Sequence, residues 1–164
     1  MLRSLVVRAA LFIVLVPGSI AGWVPWYISG WQRPQLDTAL GIVGAIFAVF
    51  GWFVLLWCAR EFAVRGRGTP NPADPPRELV VDGLYRFVRN PMYVAIVTSL
   101  LGQAALYGSS SVVWYAAIVA VAFHLRVIIY EEPKLAELFG DSYADYKRRV
   151  PRWIPLVALR SRGR

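Results

Sequence analysis

The sequence predicts an all-α, polytopic membrane protein with about four transmembrane helices and a C-terminal amphipathic helix at the membrane interface. Hydrophobic residues make up 57% of the 164-residue chain, above the roughly 45–50% that is usual in soluble domains. Two long stretches carry no acidic or basic residue, one between Asp37 and Arg60 and the other between Arg89 and Arg126. A crossing takes about 20 residues, so the first stretch predicts one span and the second predicts two.

The charge pattern agrees with a membrane location. The chain has a formal net charge of +8, with 18 Lys and Arg against 10 Asp and Glu. These basic residues flank apolar runs, a pattern that favours topology determination and contact with anionic headgroups. We therefore expect membrane contact and no nucleic-acid partner. The single cysteine, Cys58, lies in an apolar run and is expected to be a buried thiol without a metal or redox motif.

The first two spans are predicted at residues 5–27 and 36–59. The alternative for the first is a signal peptide, but its apolar character continues to Ile28, beyond the usual length of a signal sequence core. A kink is expected at Pro17 and Gly18. Small residues in the second span, at Gly41, Gly44 and Gly51, predict close contact with another helix. An aromatic belt is expected after the first span, formed by Trp23, Trp26, Tyr27 and Trp31.

The loop at residues 60–90 holds six arginines and four prolines, so the positive-inside rule predicts that it is cytoplasmic. A third span at 91–106 and a fourth at 112–130 follow as a hairpin, and the break at Gly108 and the serines after it lies outside. Both termini are then cytoplasmic, in a plasma or inner membrane. Asn90 is expected to cap the third helix and Pro91 to occupy its first turn.

The segment at 131–164 completes a single membrane domain. Apolar residues recur there every three to four positions after Pro133, which predicts an amphipathic helix on the cytoplasmic interface that Pro151 ends.

At the end of the fourth span, His124 and Glu131 are seven residues apart and share one face of an α-helix. On such a helix Arg126 would lie well around from Glu131.

Ionisable side chains at the end of a span usually face a protein interior or a wet cavity and indicate function. For Arg126, snorkelling to the headgroups with a structural ion pair is an equal alternative. The adjacent acids Glu131 and Glu132 favour function, because anionic lipid does not attract them. Spacing and composition alone leave an enzyme, a transporter subunit, an assembly factor and a cation- or headgroup-binding protein open.

Three motifs in the C-terminal half resemble the integral-membrane methyltransferases, which include isoprenylcysteine carboxyl methyltransferases and phospholipid N-methyltransferases. They are DGLYRFVRNPMY at 82–93, EEP at 131–133 and FGDSYADYKRRVP at 139–151. NPMY and EEP are more similar to the phospholipid enzymes, and the last motif to the carboxyl methyltransferases. The arginine that the latter place four residues before the first Glu falls here on Val127, with Arg126 one position earlier.

The resemblance implies an S-adenosylmethionine-dependent enzyme that methylates a lipophilic acceptor: a lipid amine, a prenylcysteine-like carboxylate or a thiol. The acceptor is expected between the third and fourth spans, with residues 131–164 covering the cofactor. His124 and Arg126 become candidate catalytic residues, although hydrogen bonding of His124 to the cofactor is preferred over a role as base. Glu131 and Glu132 would accept hydrogen bonds from the cofactor, and Arg89 or Arg149 would hold its carboxylate. The remaining candidate cofactor-binding residues are Gly83, Tyr85, Asn90, Pro91, Tyr93, Tyr143 and Tyr146.

Overall fold

The computed structural model describes residues 15–64 and 78–155. The N-terminal part of the first predicted span, residues 65–77 of the predicted loop and the basic tail from residue 156 lie outside these ranges. Every regular element in the described ranges is helical, so the all-α prediction is confirmed for that part of the chain.

Five α-helices follow one another in the part of the chain that the structure describes, with shorter helical turns between them. Helix α1 (Val24–Ile28) continues from a π-helical turn at Ser19–Trp23, and α2 (Ala39–Val64) follows. A 3-10 turn at Gly83–Arg86 precedes α3 (Pro91–Tyr107). Helix α4 (Ser110–Arg126) runs through a second π-helical turn at Val127–Glu131 into α5 (Glu132–Arg149). Residues 150–155 follow α5 and belong to no helix; we call them the strap.

Two of these helices are long and apolar enough to cross a membrane, judged by length and composition. One is Ala39–Glu61, with a mean hydropathy of 2.5, and the other is the helical run Ser110–Arg149, whose apolar part reaches 2.1. Helix α3 is also apolar but has 17 residues, at the short limit for a span. Large apolar side chains such as Trp114 and Ile118 are 72% and 66% exposed. A continuous apolar outer surface of this kind is typical of a protein that contacts lipid.

Helices α2 and α3 approach closely because small residues line their contact. A Cβ atom added at Gly51 would lie 2.5 Å from the carbonyl oxygen of Ala95, and one at Gly102 would lie 2.4 Å from the backbone nitrogen of Ala48. Backbone approach of this kind gives dense packing where no hydrophobic effect drives helices together. The contact expected at Gly44 and Gly51 is therefore confirmed, whereas Gly41 faces the turn that precedes its own helix.

The first π-helical turn docks the N-terminal segment onto the hairpin. It begins directly after Pro17 and Gly18, where the sequence predicted an irregular helix. Gln103 of α3 donates a hydrogen bond to the Ala21 carbonyl at 2.6 Å, and Tyr115 of α4 donates to the Ile20 carbonyl at 3.1 Å. Backbone groups freed by a helix irregularity in an apolar environment need such partners.

Helices α3 and α4 form a hairpin at the positions where the sequence predicted the third and fourth spans. Helix α3 ends at Gly108, whose φ of 60° gives the left-handed conformation that favours glycine at a helix end. Pro91 occupies the first turn as expected, but the prediction that Asn90 caps α3 through its side chain is wrong. Its Nδ2 atom instead donates to the Arg152 carbonyl at 3.2 Å, so the start of α3 is tied to the strap.

Helix α5 is not the single straight amphipathic helix that the sequence predicted. It is interrupted at Gly140, which has φ 50° and ψ −125°. Fifteen residues separate Glu132 from Lys147, which in a straight α-helix would place their backbones about 22 Å apart. Their side chains nevertheless form an ion pair at 3.1 Å, so the chain folds back at Gly140. Tyr143, Tyr146 and Val150 form a small buried cluster in the returning segment.

Candidate functional site

Glu132, at the start of α5, is the centre of a buried group of charges. Its side chain is 8% exposed and accepts hydrogen bonds from Arg89 Nη1 at 2.9 Å, Arg152 Nε at 2.7 Å and Lys147 Nζ at 3.1 Å. Arg152 binds both carboxylate oxygens, since its Nη2 lies 3.1 Å from Oε2. Arg89 Nη1 also donates to the Tyr143 hydroxyl at 3.3 Å. We call these five residues the charge cluster.

The charge cluster joins three stretches that are distant in sequence. Arg89 precedes α3, Glu132 begins α5, and Lys147 and Arg152, five residues apart, lie in the last turn of α5 and in the strap. The backbone N–H of Arg89 also donates to the Pro151 carbonyl at 2.9 Å. The two ends of the hairpin thus meet through the side chains of Arg89 and Glu132, as the sequence predicted, and the backbone hydrogen bond ties the first end to the strap.

The environment of Glu132 keeps its carboxylate ionised. Burial opposes the charged form, but hydrogen bonds from Arg152 and Lys147 and the charge of Arg89 outweigh burial and lower the pKa of Glu132 to about 2. For Tyr143, burial raises the pKa and the negative charge of Glu132 adds to the shift, so its hydroxyl remains protonated at neutral pH. Three cations surround one carboxylate, and the cluster carries a surplus of two positive charges.

A second polar group lies at the junction of α4 and α5. Arg126 Nε donates to Glu131 Oε1 at 2.8 Å and to the Tyr93 hydroxyl at 3.2 Å, while Tyr93 donates to the same oxygen of Glu131. The prediction that Arg126 lies well around from Glu131 is therefore wrong. The π-helical turn at Val127–Glu131 accounts for the difference, because its wider winding brings residues five apart onto one face.

The same π-helical turn compensates for the offset of the arginine that precedes the second motif, EEP at 131–133. In a regular helix, a contact with the first Glu would come from the residue four positions earlier, which is Val127. Because the wider turn contains one extra residue, Arg126 makes that contact instead. Val127 points into the protein and is 1% exposed. Single π-helical turns of this kind are frequent at functional sites.

A groove of about 420 Å³ runs between α3 and α4. Its polar end is formed by Tyr93, His124 and Trp153, and its remaining walls are apolar except for one threonine hydroxyl. Tyr93 stacks on Phe123, with ring centres 4.3 Å apart. Trp153 reaches the groove from the strap and donates its indole N–H to His124 Nδ1 at 3.1 Å. The groove has the size of a small-molecule site, and its lining consists of Tyr93, Val94, Val97, Thr98, Ala120, Val121, Phe123, His124 and Trp153.

The predicted site residues fall into three groups. Arg89, Glu132 and Tyr143 meet in the charge cluster. Tyr93 and His124 line the polar end of the groove, and Tyr93 joins it to Arg126 and Glu131 through hydrogen bonds. Asn90 and Pro91 lie between the two places, at the start of α3. Tyr85 and Tyr146 are joined by a hydrogen bond from the Tyr146 hydroxyl to the Tyr85 carbonyl at 2.7 Å and are both buried.

Two predicted residues lie elsewhere. Gly83, with φ 60°, faces the side chain of Glu61 on α2. Arg149 is exposed and donates to the Asp145 carbonyl within its own helix. The basic residues that do approach Glu132 from this part of the chain are Lys147 and Arg152, which the sequence reasoning passed over, as it did Trp153. The run Pro-Arg-Trp at 151–153 could have indicated Arg152 and Trp153, because Pro151 ends the helix and directs the next side chains away from its axis.

Comparison with known proteins agrees with this arrangement. Residues 40–142, well over half of the chain, match the phospholipid methyltransferase family. The chain belongs to this family. The match covers α2 from residue 40, both helices of the hairpin and the two acids Glu131 and Glu132. It ends before Lys147 and the strap.

Individual relatives are named for different functions. A protein-S-isoprenylcysteine O-methyltransferase of Schizosaccharomyces pombe is 39% identical over 79 residues, which are 48% of this chain and 34% of the relative. The cobalt-zinc-cadmium resistance protein CzcN of Cupriavidus metallidurans is 35% identical over 132 residues, 79% of this chain and 53% of the relative. Methanethiol S-methyltransferase 1 of Bradyrhizobium diazoefficiens is 30% identical over 142 residues, 81% and 48% of the two chains. The chain thus spans about half or less of the length of these relatives.

The charge cluster makes the stability of the protein depend on pH. The pKa of Glu132 is lower in the folded protein than its ordinary value of 4.5, so its contribution to stability is complete above about pH 4.5 and is lost as the pH falls towards 2. We expect Glu132→Gln to lower the free energy of unfolding by about 3 kcal/mol at pH 7, because it leaves the buried guanidinium of Arg89 without its charged partner. This gap between variant and wild type should shrink as the pH falls below 4.5.

The matched control is Glu137→Gln. Glu137 is 70% exposed and pairs with Lys134 on the surface of the same helix, where such pairs contribute about 0–1 kcal/mol. Unfolding in detergent mixed micelles between pH 3 and pH 7 measures both variants. Equal stability of Glu132→Gln and wild type at pH 7, or a gap that stays constant with pH, would contradict the assignment.

Proposed function

We propose that this chain is a membrane-embedded, S-adenosylmethionine-dependent methyltransferase that transfers a methyl group to a lipophilic acceptor. The observation that carries the proposal is the junction of a buried, positively charged cluster with an apolar groove, through one strap that contributes Arg152 to the first and Trp153 to the second. A methyltransferase of this kind has to hold a charged, water-soluble donor beside a lipid-soluble acceptor. Family membership supports the same reaction class.

The topology follows from the charges and the helices. The segment that ends at residue 28, together with α2, α3 and α4, gives four spans, and the arginine-rich stretch before α3 places the site on the cytoplasmic side. Both termini then lie in the cytoplasm, in a plasma or inner membrane. Residues 131–155 fold back at Gly140 and cover the ends of α3 and α4 at the membrane interface.

The charge cluster suits the carboxylate of the donor. Arg89 has a side chain that is 9% exposed, and its Nε atom has no hydrogen-bond partner among the described residues. A buried guanidinium nitrogen without a partner is costly, and the surplus of two positive charges around Glu132 favours an added anion. We therefore assign Arg89, with Arg152 beside it, to the carboxylate, and Glu132 to holding these cations in place.

The other polar parts of the donor fit the second polar group. The hydrogen bonds described for Glu131 both end on Oε1, so Oε2 is the acceptor assigned to the ammonium or a ribose hydroxyl. The half-buried ring of Tyr93 offers an aromatic face for the adenine. S-adenosylmethionine supplies, when bound, an electrophilic methyl group on a sulfonium. The protein supplies position and a dry environment, since the groove excludes water and holds the acceptor in line.

The acceptor enters from the bilayer between α3 and α4. A lipid amine, a prenylcysteine-like carboxylate and a thiol all combine an apolar body with one nucleophilic atom, and the groove offers an apolar wall that ends at His124 and Trp153. Two relatives are named for an isoprenylcysteine and for methanethiol, which supports the oxygen and sulfur acceptors. A non-catalytic membrane protein is the alternative, and it would bind neither donor nor product.

Calorimetric titration of the detergent-purified chain with S-adenosylhomocysteine tests donor binding. We expect micromolar affinity for the wild type and a 10- to 100-fold loss in Arg89→Gln, because a charge-assisted hydrogen bond contributes about 1.5–3 kcal/mol. Glu131→Gln, at a partly exposed position, should also weaken binding without affecting the fold. The control Arg149→Gln should leave the affinity unchanged. A wild type that binds no S-adenosylhomocysteine would contradict the proposed function.

A bulky residue in the groove should separate acceptor binding from donor binding. Ala120→Phe fills part of the groove, so we expect the rate of methyl transfer to a lipophilic thiol to fall about a hundredfold, the loss that a displacement of about 1 Å causes. The affinity for S-adenosylhomocysteine should not change. The control Ala117→Phe lies on the exposed side of the same helix and should retain the wild-type rate. Equal rates in the two variants would show that the acceptor does not use the groove.

A further inference from the structure

Trp153 and His124 form a hydrogen bond whose direction is fixed by chemistry. The indole N–H of Trp153 lies 3.1 Å from Nδ1 of His124, and an indole nitrogen can only donate. Nδ1 must therefore carry a lone pair and no proton. The ring proton of the neutral imidazole then resides on Nε2, which makes Nε2 a hydrogen-bond donor.

The strap holds Trp153 rigidly enough to enforce this state. The preceding residue, Arg152, binds Glu132 through two nitrogens, and its carbonyl accepts a hydrogen bond from Asn90. The Pro151 carbonyl accepts from the backbone of Arg89. Trp153 is thus anchored on its N-terminal side by three hydrogen-bonded contacts, and its ring lies 5.9 Å from the His124 ring and 6.5 Å from the Tyr93 ring.

A general base needs a free lone pair, and the only lone pair of this histidine tautomer points at Trp153. If Nδ1 took up a proton, the hydrogen bond would break, because the N–H of Trp153 would then face a second N–H donor. The other ionisable groups at this end of the groove are Tyr93 of α3, Arg126 of α4 and Glu131 of the π-helical turn. They are hydrogen-bonded to one another, and the Arg126–Glu131 pair is neutral overall.

We propose that Trp153 is a positioning residue that holds His124 in the Nε2–H tautomer, so that the site takes acceptors that arrive as anions. This inference rests on the proposed function for its second half. In the step, a lone pair of the thiolate or carboxylate forms the new bond to the methyl carbon, and the carbon–sulfur bond of the sulfonium breaks with its electron pair on sulfur. No proton is transferred to the protein. His124 Nε2–H donates a hydrogen bond to the acceptor atom and orients it. A protonated amine would instead face this N–H donor, with no base to remove its proton.

Nuclear magnetic resonance tests the tautomer without any assay of activity. The chain contains one histidine, so protein labelled with ¹⁵N-histidine and purified through a tag without histidine gives a single imidazole signal set. We expect correlation spectra typical of the Nε2–H tautomer in the wild type and a mixture of tautomers in Trp153→Phe. The control Trp114→Phe, at the exposed far end of α4, should match the wild type. A proton on Nδ1 in the wild type, or spectra unchanged in Trp153→Phe, would overturn the positioning role.

The pH dependence of methyl transfer tests the acceptor class. With two lipophilic thiols of different acidity, we expect the pH midpoint of the wild-type rate to follow the ionisation of each thiol, since the thiolate must arrive preformed. One common midpoint for both thiols would show that a protein base removes the proton and would overturn the inference. Methyl transfer to neither thiol, with S-adenosylhomocysteine still bound and with transfer to a lipid amine, would overturn the acceptor class while the proposed function stands. Absence of both binding and transfer would overturn the proposed function itself.

Discussion

The carboxylate of Glu132 is the interaction on which the arrangement of this protein depends. It is buried where the fourth predicted span ends, and it draws cations from two separate stretches to within 3.1 Å: Arg89 before α3, and Lys147 and Arg152 from the end of α5 and the strap. An isolated charge in such a place would cost several kcal/mol, so neither the acid nor its partners can occupy this position alone. Because these side chains must pair, their contacts fix the position of the residues before α3, the reversal within α5 and the path of the strap.

The strap links the charge cluster to the apolar groove. Because Arg152 is anchored to Glu132, the next residue, Trp153, reaches the end of the apolar groove and contacts His124. The charged half and the apolar half of the site are therefore adjacent and share one structural element. A substitution in the charge cluster should consequently also disturb the groove, although no groove residue contacts Glu132 directly in the hydrogen bonds described.

The hairpin, its turn at Gly108 and the meeting of its two ends could be predicted from the sequence, because each follows from local composition. Uncharged stretches define spans, and one hairpin must return its ends to one side of the bilayer. The Arg126–Glu131 pair could not be predicted, since a π-helical turn depends on packing around one extra residue and has no compositional signature. The reversal of α5 had a visible signal in Gly140, a residue that commonly ends helices, but the amphipathic period on either side favoured one continuous helix.

The roles of Asn90 and Arg152 illustrate a second limit. Asn90 has the sequence context of a helix cap, and only the proximity of the strap explains why its side chain donates to Arg152 instead. Arg152 follows the proline that was predicted to end the amphipathic helix, where no local pattern gives its side chain a partner. Contacts of this range, 62 residues apart for Asn90 and 20 for Glu132, become visible only when the three stretches are assembled.

A double-mutant cycle on Arg152 and Glu132 tests most directly whether one carboxylate holds these stretches together. The free energy of unfolding in mixed micelles would be measured at pH 7 for Arg152→Gln, Glu132→Gln and the double variant. A coupling energy above about 1 kcal/mol, with the double variant less destabilised than the sum of the two single variants, is the result that this account predicts. Additivity within about 0.5 kcal/mol, the behaviour of residues that do not touch, would contradict it.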